Sequence, residues 1–147
     1  MSDPLLQPRP EGLYCPAGEF FIDPMLPVAR AVVTHAHGDH ARSGSGRYQV
    51  AAAGIGLMRE RLGHDALIDA HDYGETFRMG EVEVSLHPAG HVLGSAQVRM
   101  AYDGRVVVVS GDYKRDPDPT CVPFEPVPCD VFVTESTFGL PVYAGRR

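Results

Sequence analysis

Apolar and polar residues alternate with a period of two in several stretches of the chain, and those stretches predict strands. Val82, Val84 and Leu86 alternate with Glu81, Glu83 and Ser85, the pattern of a half-buried strand. Ala96, Val98, Met100 and Tyr102 alternate with Gln97, Arg99 and Ala101, and Asp103-Gly104 then turns the chain into residues 106–109. An Asp-Gly pair between two such runs is a strong hairpin signal, because both residues tolerate positive φ. Residues 106–109 are valine throughout, as in a strand covered on both faces. Shorter apolar runs predict an edge hairpin at 13–15 and 20–22, and further strands at 31–34, 48–50 and 131–134.

Only one stretch carries a helical period. Within residues 51–62, Ile55, Met58 and Leu62 share one face, while Arg59, Glu60 and Arg61 lie largely away from it. Gly54 and Gly56 each cost that helix about 1 kcal/mol relative to alanine, so it needs a sheet to pack against. Gly63 is a stop signal. The first twelve residues, with three prolines, read as an irregular arm. The elements together predict an α/β fold, mainly one mixed β-sheet with a flanking helix.

Composition narrows the function classes. A chain of 147 residues is one domain, and an apolar share of 44% makes it globular rather than disordered or collagenous. The net charge of −6 excludes a simple basic coat for nucleic acid, which gains affinity by neutralising phosphates. Three irregularly spaced cysteines form neither a disulfide framework nor a zinc-finger pattern. The N-terminus has no apolar core of a signal peptide and no run is long enough to span a membrane, so the expected location is cytoplasmic.

The chemistry concentrates in His35-Ala36-His37-Gly38-Asp39-His40, four metal-ligand side chains within six residues after an apolar strand. Imidazole with carboxylate suits zinc, and manganese or iron as the carboxylate share rises. His35 and His37 can point to one side of an extended backbone, with Asp39 and His40 beyond the Gly38 bend. So tight a loop cannot readily give all four to one ion, and the spacing suggests two. Further ligands are available at later strand ends, His91 after residues 82–86 and Asp112 after residues 106–109, each preceded by glycine. The Asp112 carboxylate has two oxygens and can bridge two cations.

His35-x-His37-x-Asp39-His40, then His91, then Asp112, resembles the metallo-β-lactamase superfamily. The segment VFVTESTFG at 131–139 is similar to the first extra motif of its nucleic-acid-processing β-CASP branch. EGLYCPAGEFFIDP, THAHGDHARSGSG, HPAGHVLGSAQV, SGDYKRDPDPTC and ESTFGLPVY resemble the bacterial DNA-ligase-associated exonucleases, relatives of the mRNA 3′-end processing factor. The resemblance implies the N-terminal part of an αβ/βα sandwich over residues 13–147, ending near the start of the expected β-CASP insertion. It implies that His35, His37 and His91 hold one divalent ion and Asp39 and His40 the other, with Asp112 bridging. Zinc is the expected metal, with manganese as the alternative. Glu135 takes the acidic position of the β-CASP motif, orienting the ligands or assisting proton transfer.

The implied activity is hydrolysis of a phosphodiester by a hydroxide activated between two metals, as in a DNA exonuclease working in repair beside a DNA ligase and a helicase. Asp39, Asp112 and Glu135 are its expected catalytic carboxylates. Lys114 and Arg115 are the best local phosphate contacts, and they equally fit a solvated basic pair. No histidine follows His91, so the second metal is short of its last expected ligand and the chain reads as an N-terminal fragment. It is expected to supply roughly the first of the two sheets, with an exposed apolar face and poor solubility. The alternatives are an RNA-processing ribonuclease of the same family, a small-molecule metallo-hydrolase, and a non-catalytic fragment.

His64, His71 and His87 are read as structural or solvated, His71 in a polar loop, and Cys15, Cys121 and Cys129 as small buried hydrophobes. Glu125 and Asp130 read as loop charges, while Ser43 and Ser45 are expected to hold the first motif's loop by local hydrogen bonds.

Overall fold

The alternating stretches become strands, and the strands divide between two sheets. The computed structural model describes residues 5–35, 41–90, 95–110, 126–135 and 141–143, with the backbone alone for 134, 135 and 141–143. Sheet A contains β1 (Gln7–Arg9), β2 (Gly12–Cys15), β3 (Phe20–Ile22), β4 (Arg30–Val32), β5 (Arg47–Ala51) and β6 (Ile68–His71), side by side in chain order. Its first three strands are antiparallel and the pairs from β3 to β6 are parallel. Sheet B contains β7 (Thr76–Met79), β8 (Val82–Pro88), β9 (Ala96–Tyr102), β10 (Arg105–Ser110), β11 (Val131–Glu135) and β12 (Pro141–Tyr143), also in chain order. All its pairs are antiparallel except β10–β11.

The two sheets pack face to face around one apolar core. Leu13, Cys15, Phe20, Ile22, Val32 and Ala51 of sheet A meet Val84, Leu86, Val98, Met100, Val109 and Val133 of sheet B. Each buried Val, Leu, Ile or Phe side chain contributes roughly 1.5–3 kcal/mol through removal of apolar surface from water. The other face of sheet A carries a second cluster, in which Ala31, Val33, Tyr48 and Val50 pack on Met58 and Leu62. Those two residues come from α1 (Ile55–Leu62), which follows a 3₁₀ turn at Ala52–Gly54. The layers therefore run helix, sheet A, sheet B.

Several expectations hold and some need correction. The fold class is as expected, mixed β-structure with a flanking helix, but the strands form two sheets rather than mainly one. The inner face of sheet A is accordingly covered by sheet B and not exposed. Residues 7–9, expected within an irregular arm, add a strand outside the 13–22 hairpin, and Leu5 and Leu6 are buried in the main core. The expected hairpin at 96–109 forms with Arg105 paired to Tyr102, and Asp103 and Gly104 both take positive φ, at 51° and 76°.

A backbone-to-backbone contact joins the sheets at one corner. Gly80 has φ 58°, and a Cβ there would lie 2.7 Å from the Ala17 carbonyl oxygen and 3.0 Å from Gly18 Cα. The Glu81 amide donates to the same Ala17 oxygen at 3.2 Å. Only glycine permits the β7–β8 turn to approach the β2–β3 turn so closely.

Candidate functional site

Strand direction sets where the chemistry lies. β8 and β10 both run antiparallel to β9, and β11 runs parallel to β10, so Pro88, Ser110 and Glu135 finish at one edge of sheet B. The Ala96 amide donates to the Thr34 carbonyl oxygen at 2.7 Å, which ties the chain just past β4 to that same edge. The ends of four strands, from both sheets, thus converge. The segments that follow them carry the His35–His40 motif, His91, Asp112 and the end of the β-CASP-like motif.

His35 is the candidate ligand whose side chain the structure describes. It is fully buried, and a hydrogen-bonded chain behind it fixes its chemistry. Asp23 follows β3 in the left-handed region at φ 47°, a conformation that aspartate tolerates better than most residues. From there its Oδ1 accepts from the Thr34 amide at 2.8 Å and its Oδ2 accepts from the Thr34 hydroxyl at 2.6 Å. With its proton donated to Asp23, Thr34 Oγ1 can only accept from His35 Nδ1, 3.0 Å away. The network therefore assigns the proton to Nδ1 and the lone pair to Nε2, the form that ligates a metal. A histidine held this way fits the divalent ion that the motif implies.

The loop after the motif is held from below. The Tyr48 hydroxyl donates to the Arg42 carbonyl at 2.8 Å and accepts from the Ser45 amide at 2.9 Å, and the Val28 amide donates to Ser45 Oγ at 3.1 Å. Ser45 thus anchors the loop, as expected, but to Val28, seventeen residues away, rather than locally. On the sheet B side, Ala89 N donates to Ser95 O at 3.3 Å, closing the loop that contains His91, and the Tyr73 hydroxyl donates to the same oxygen at 2.8 Å.

His37, Asp39, His40, His91, Asp112, Lys114 and Arg115 lie outside the described residues, as do Cys121 and Glu125. Glu135 is the last residue of β11 and pairs with Pro141. Among the described residues no three histidine, cysteine, aspartate or glutamate side chains gather to hold a metal. Cys15 and Cys129 are buried, as expected. Asp130, expected as a loop charge, is structural: its Oδ2 accepts from the Val106 amide at 2.8 Å and its own amide donates to Val106 O at 2.9 Å. His87 shares a hydrogen bond with Ser85 Oγ at 2.8 Å, and His71 belongs to β6 rather than to a loop. The sequence reading missed Asp23, Thr34, Tyr48 and Tyr73.

The architecture matches solved structures. A metallo-β-lactamase with a HARLDQ motif from Cronobacter sakazakii superposes with a TM-score of 0.54 at 17% identity, over 72% of this chain and 57% of that one. The chain thus has the metallo-β-lactamase fold. In sequence it is related to a probable DNA ligase of Opitutus terrae, 32% identical over 90% of this chain, and to the endoribonuclease ysh1 of Aspergillus fumigatus, 36% identical over 50% of it. The chain spans 13% of the length of the first and 9% of the second. No protein-family model matches the chain. Among the described residues no helix is long and apolar enough to cross a membrane.

Proposed function

We propose that this chain carries the metal-binding half of a nucleic-acid phosphodiester hydrolase, a DNA exonuclease that acts beside a ligase. The observation that carries this reading is the buried Asp23–Thr34–His35 chain, which presents a histidine Nε2 lone pair at the first residue of the His35-x-His37-x-Asp39-His40 motif. Placing three polar groups in a buried site costs stability unless each is hydrogen-bonded, and here they bond one to the next in the order that leaves the Nε2 lone pair for a metal. DNA is favoured as substrate because similarity to the probable DNA ligase extends over 90% of the chain. Endoribonuclease similarity over 50% of it supports RNA as the second reading.

In this proposal His35, His37 and His91 would hold one zinc ion and Asp39 and His40 the other, with Asp112 as a ligand shared by both. Such a pair supplies an activated water and neutralises phosphate charge. The chain's own part is to fix His35 through Thr34, to orient the ligand shell or move a proton through Glu135, and to contact phosphate through Lys114 and Arg115. The partners proposed are DNA, a DNA ligase and a helicase, in the cytoplasm.

The test is metal content after equilibrium dialysis against zinc, followed by cleavage of end-labelled DNA and RNA. Up to two ions per chain are expected, with loss of at least one in His35→Ala and in Asp112→Asn. No bound zinc in the unsubstituted protein overturns the metal reading. Cleavage of RNA but not of DNA replaces the exonuclease with the ribonuclease.

A further inference from the structure

Between the sheets, at the corner where the edge strands β6 and β7 diverge, the core gives way to a charged cleft of about 550 Å³. That volume lies within the range of small-ligand sites. Arg30, Arg47 and Arg78 line it, with the carboxylates of Asp69 and Glu75. Arg30 and Arg47 are register partners on the adjacent strands β4 and β5, so two like charges stand side by side. Asp69 lies against Arg47 and offsets one of these two charges.

The carboxylates do not neutralise all three guanidinium groups. Asp69 is committed to Arg47, whose Nη1 lies 2.9 and 3.0 Å from its two oxygens, and to the Gln49 amide at 2.8 Å. Glu75 Oε2 lies 3.7 Å from His71 Nδ1. Arg30 donates to two neutral acceptors, the Glu19 carbonyl at 3.1 Å and the Gly18 carbonyl at 2.6 Å. Among the described residues neither Arg30 nor Arg78 has a carboxylate partner. Arg30 uses two of its five N–H donors in those bonds, and the remaining fork matches an oxyanion.

The other wall is preorganised. The His71 ring stacks on Phe77 with centroids 3.6 Å apart and planes within 9°. Gln49 donates through Nε2 to Asp69, so its Oε1 accepts from His71 Nε2 at 2.6 Å. His71, Gln49, Asp69 and Arg47 therefore form one connected network along the cleft. Arg30 and Arg47 stand at the starting ends of β4 and β5, whereas His35 follows the finishing end of β4.

We infer that this cleft is a binding site for a phosphate group, held between the Arg30 and Arg78 guanidinium groups. It does not depend on the proposed metal chemistry, and the experiment separates the two. The full chain, stripped of metal by chelation and then freed of chelator, is titrated with inorganic phosphate and followed by calorimetry. Saturable one-to-one binding is expected. Arg78→Gln should weaken it about fivefold, the scale of one exposed charge contact. The Arg30→Gln/Arg78→Gln pair should abolish it, and Arg61→Gln on α1 should leave it unchanged. Asp69→Asn frees Arg47 and removes a negative charge, so affinity should rise, a gain that damage to the fold would not produce. A 5′-phosphorylated dinucleotide that competes with phosphate, where the unphosphorylated one does not, identifies a nucleic-acid end as the source; failure of both to compete identifies free phosphate. Absence of saturable binding, or full binding in Arg78→Gln and in the double variant, overturns the inference.

Discussion

The two faces of sheet A are covered in different ways. Among the described residues, one face meets sheet B across a core of eighteen buried residues, while the other meets the eight-residue helix α1 across a cluster of seven. The sheet-on-sheet core draws residues from both ends of the chain, from Leu5 to Val133, and its side chains are held by strand register on both sides. The helical cover is local, between β5 and β6, and its helix contains Gly56 and follows Gly54. Covers of equal apolar character therefore differ in how freely they can follow a substitution, because a helix on a surface can shift and a register-locked sheet cannot.

Substitutions of matched chemistry break or sharpen that contrast. Leu86→Ala, in the inter-sheet core, is expected to cost about 4 kcal/mol, since the sheets cannot collapse onto the void. Met58→Ala, under the helix, should cost about 2 kcal/mol, because α1 can settle inward. Urea unfolding of both variants measures the two costs, and equal values would show that the covers are equally rigid. Gly56→Ala meets no atom within 4 Å of the added Cβ, so it should stabilise α1 by about 0.5–1 kcal/mol. Hydrogen exchange should show that gain in the helical layer alone.

The smallest effect concerns the edge of sheet A. Asp69 is held below the usual carboxylate range, first by the Gln49 amide and then by Arg47, against a partial opposing effect of burial. Its folded-state pKa lies below the unfolded value, so its stabilisation is present above the unfolded value and is lost as pH falls through the folded one. Asp69→Asn should therefore flatten the acid limb of a stability–pH curve slightly, and an unchanged curve would remove Asp69 from that limb. Because the pair is solvent-facing, the effect is small.

Legibility in the sequence followed the strength of the period. β9 spans Ala96–Tyr102, the bounds that the alternation marks, and α1 ends at Leu62 before Gly63, as the stop signal implies. β6 and β7 escaped because each is four residues long and mixes charge into the pattern, as in Ile68-Asp69-Ala70-His71. Positions Phe77 and Met79, bracketed by Gly74 and Gly80, were the usable signal for β7. At the site, the candidate ligand cluster stands out in the sequence because its residue types are unusual together. Asp23 was not, because its role depends on a left-handed backbone and on a partner eleven residues away, neither of which a local pattern contains.

The Ala96–Thr34 hydrogen bond joins the two sheets at the candidate site through main-chain atoms alone. Such a join is indifferent to side-chain identity, so the residues around it can diverge widely while the meeting of the two sheets persists. Proline at position 96 is the exception, because it removes the donor. A library of all substitutions at 96 would then show tolerance governed by burial, with one sharp loss at proline, and would mark this position as a point where heredity constrains the backbone more than the side chain.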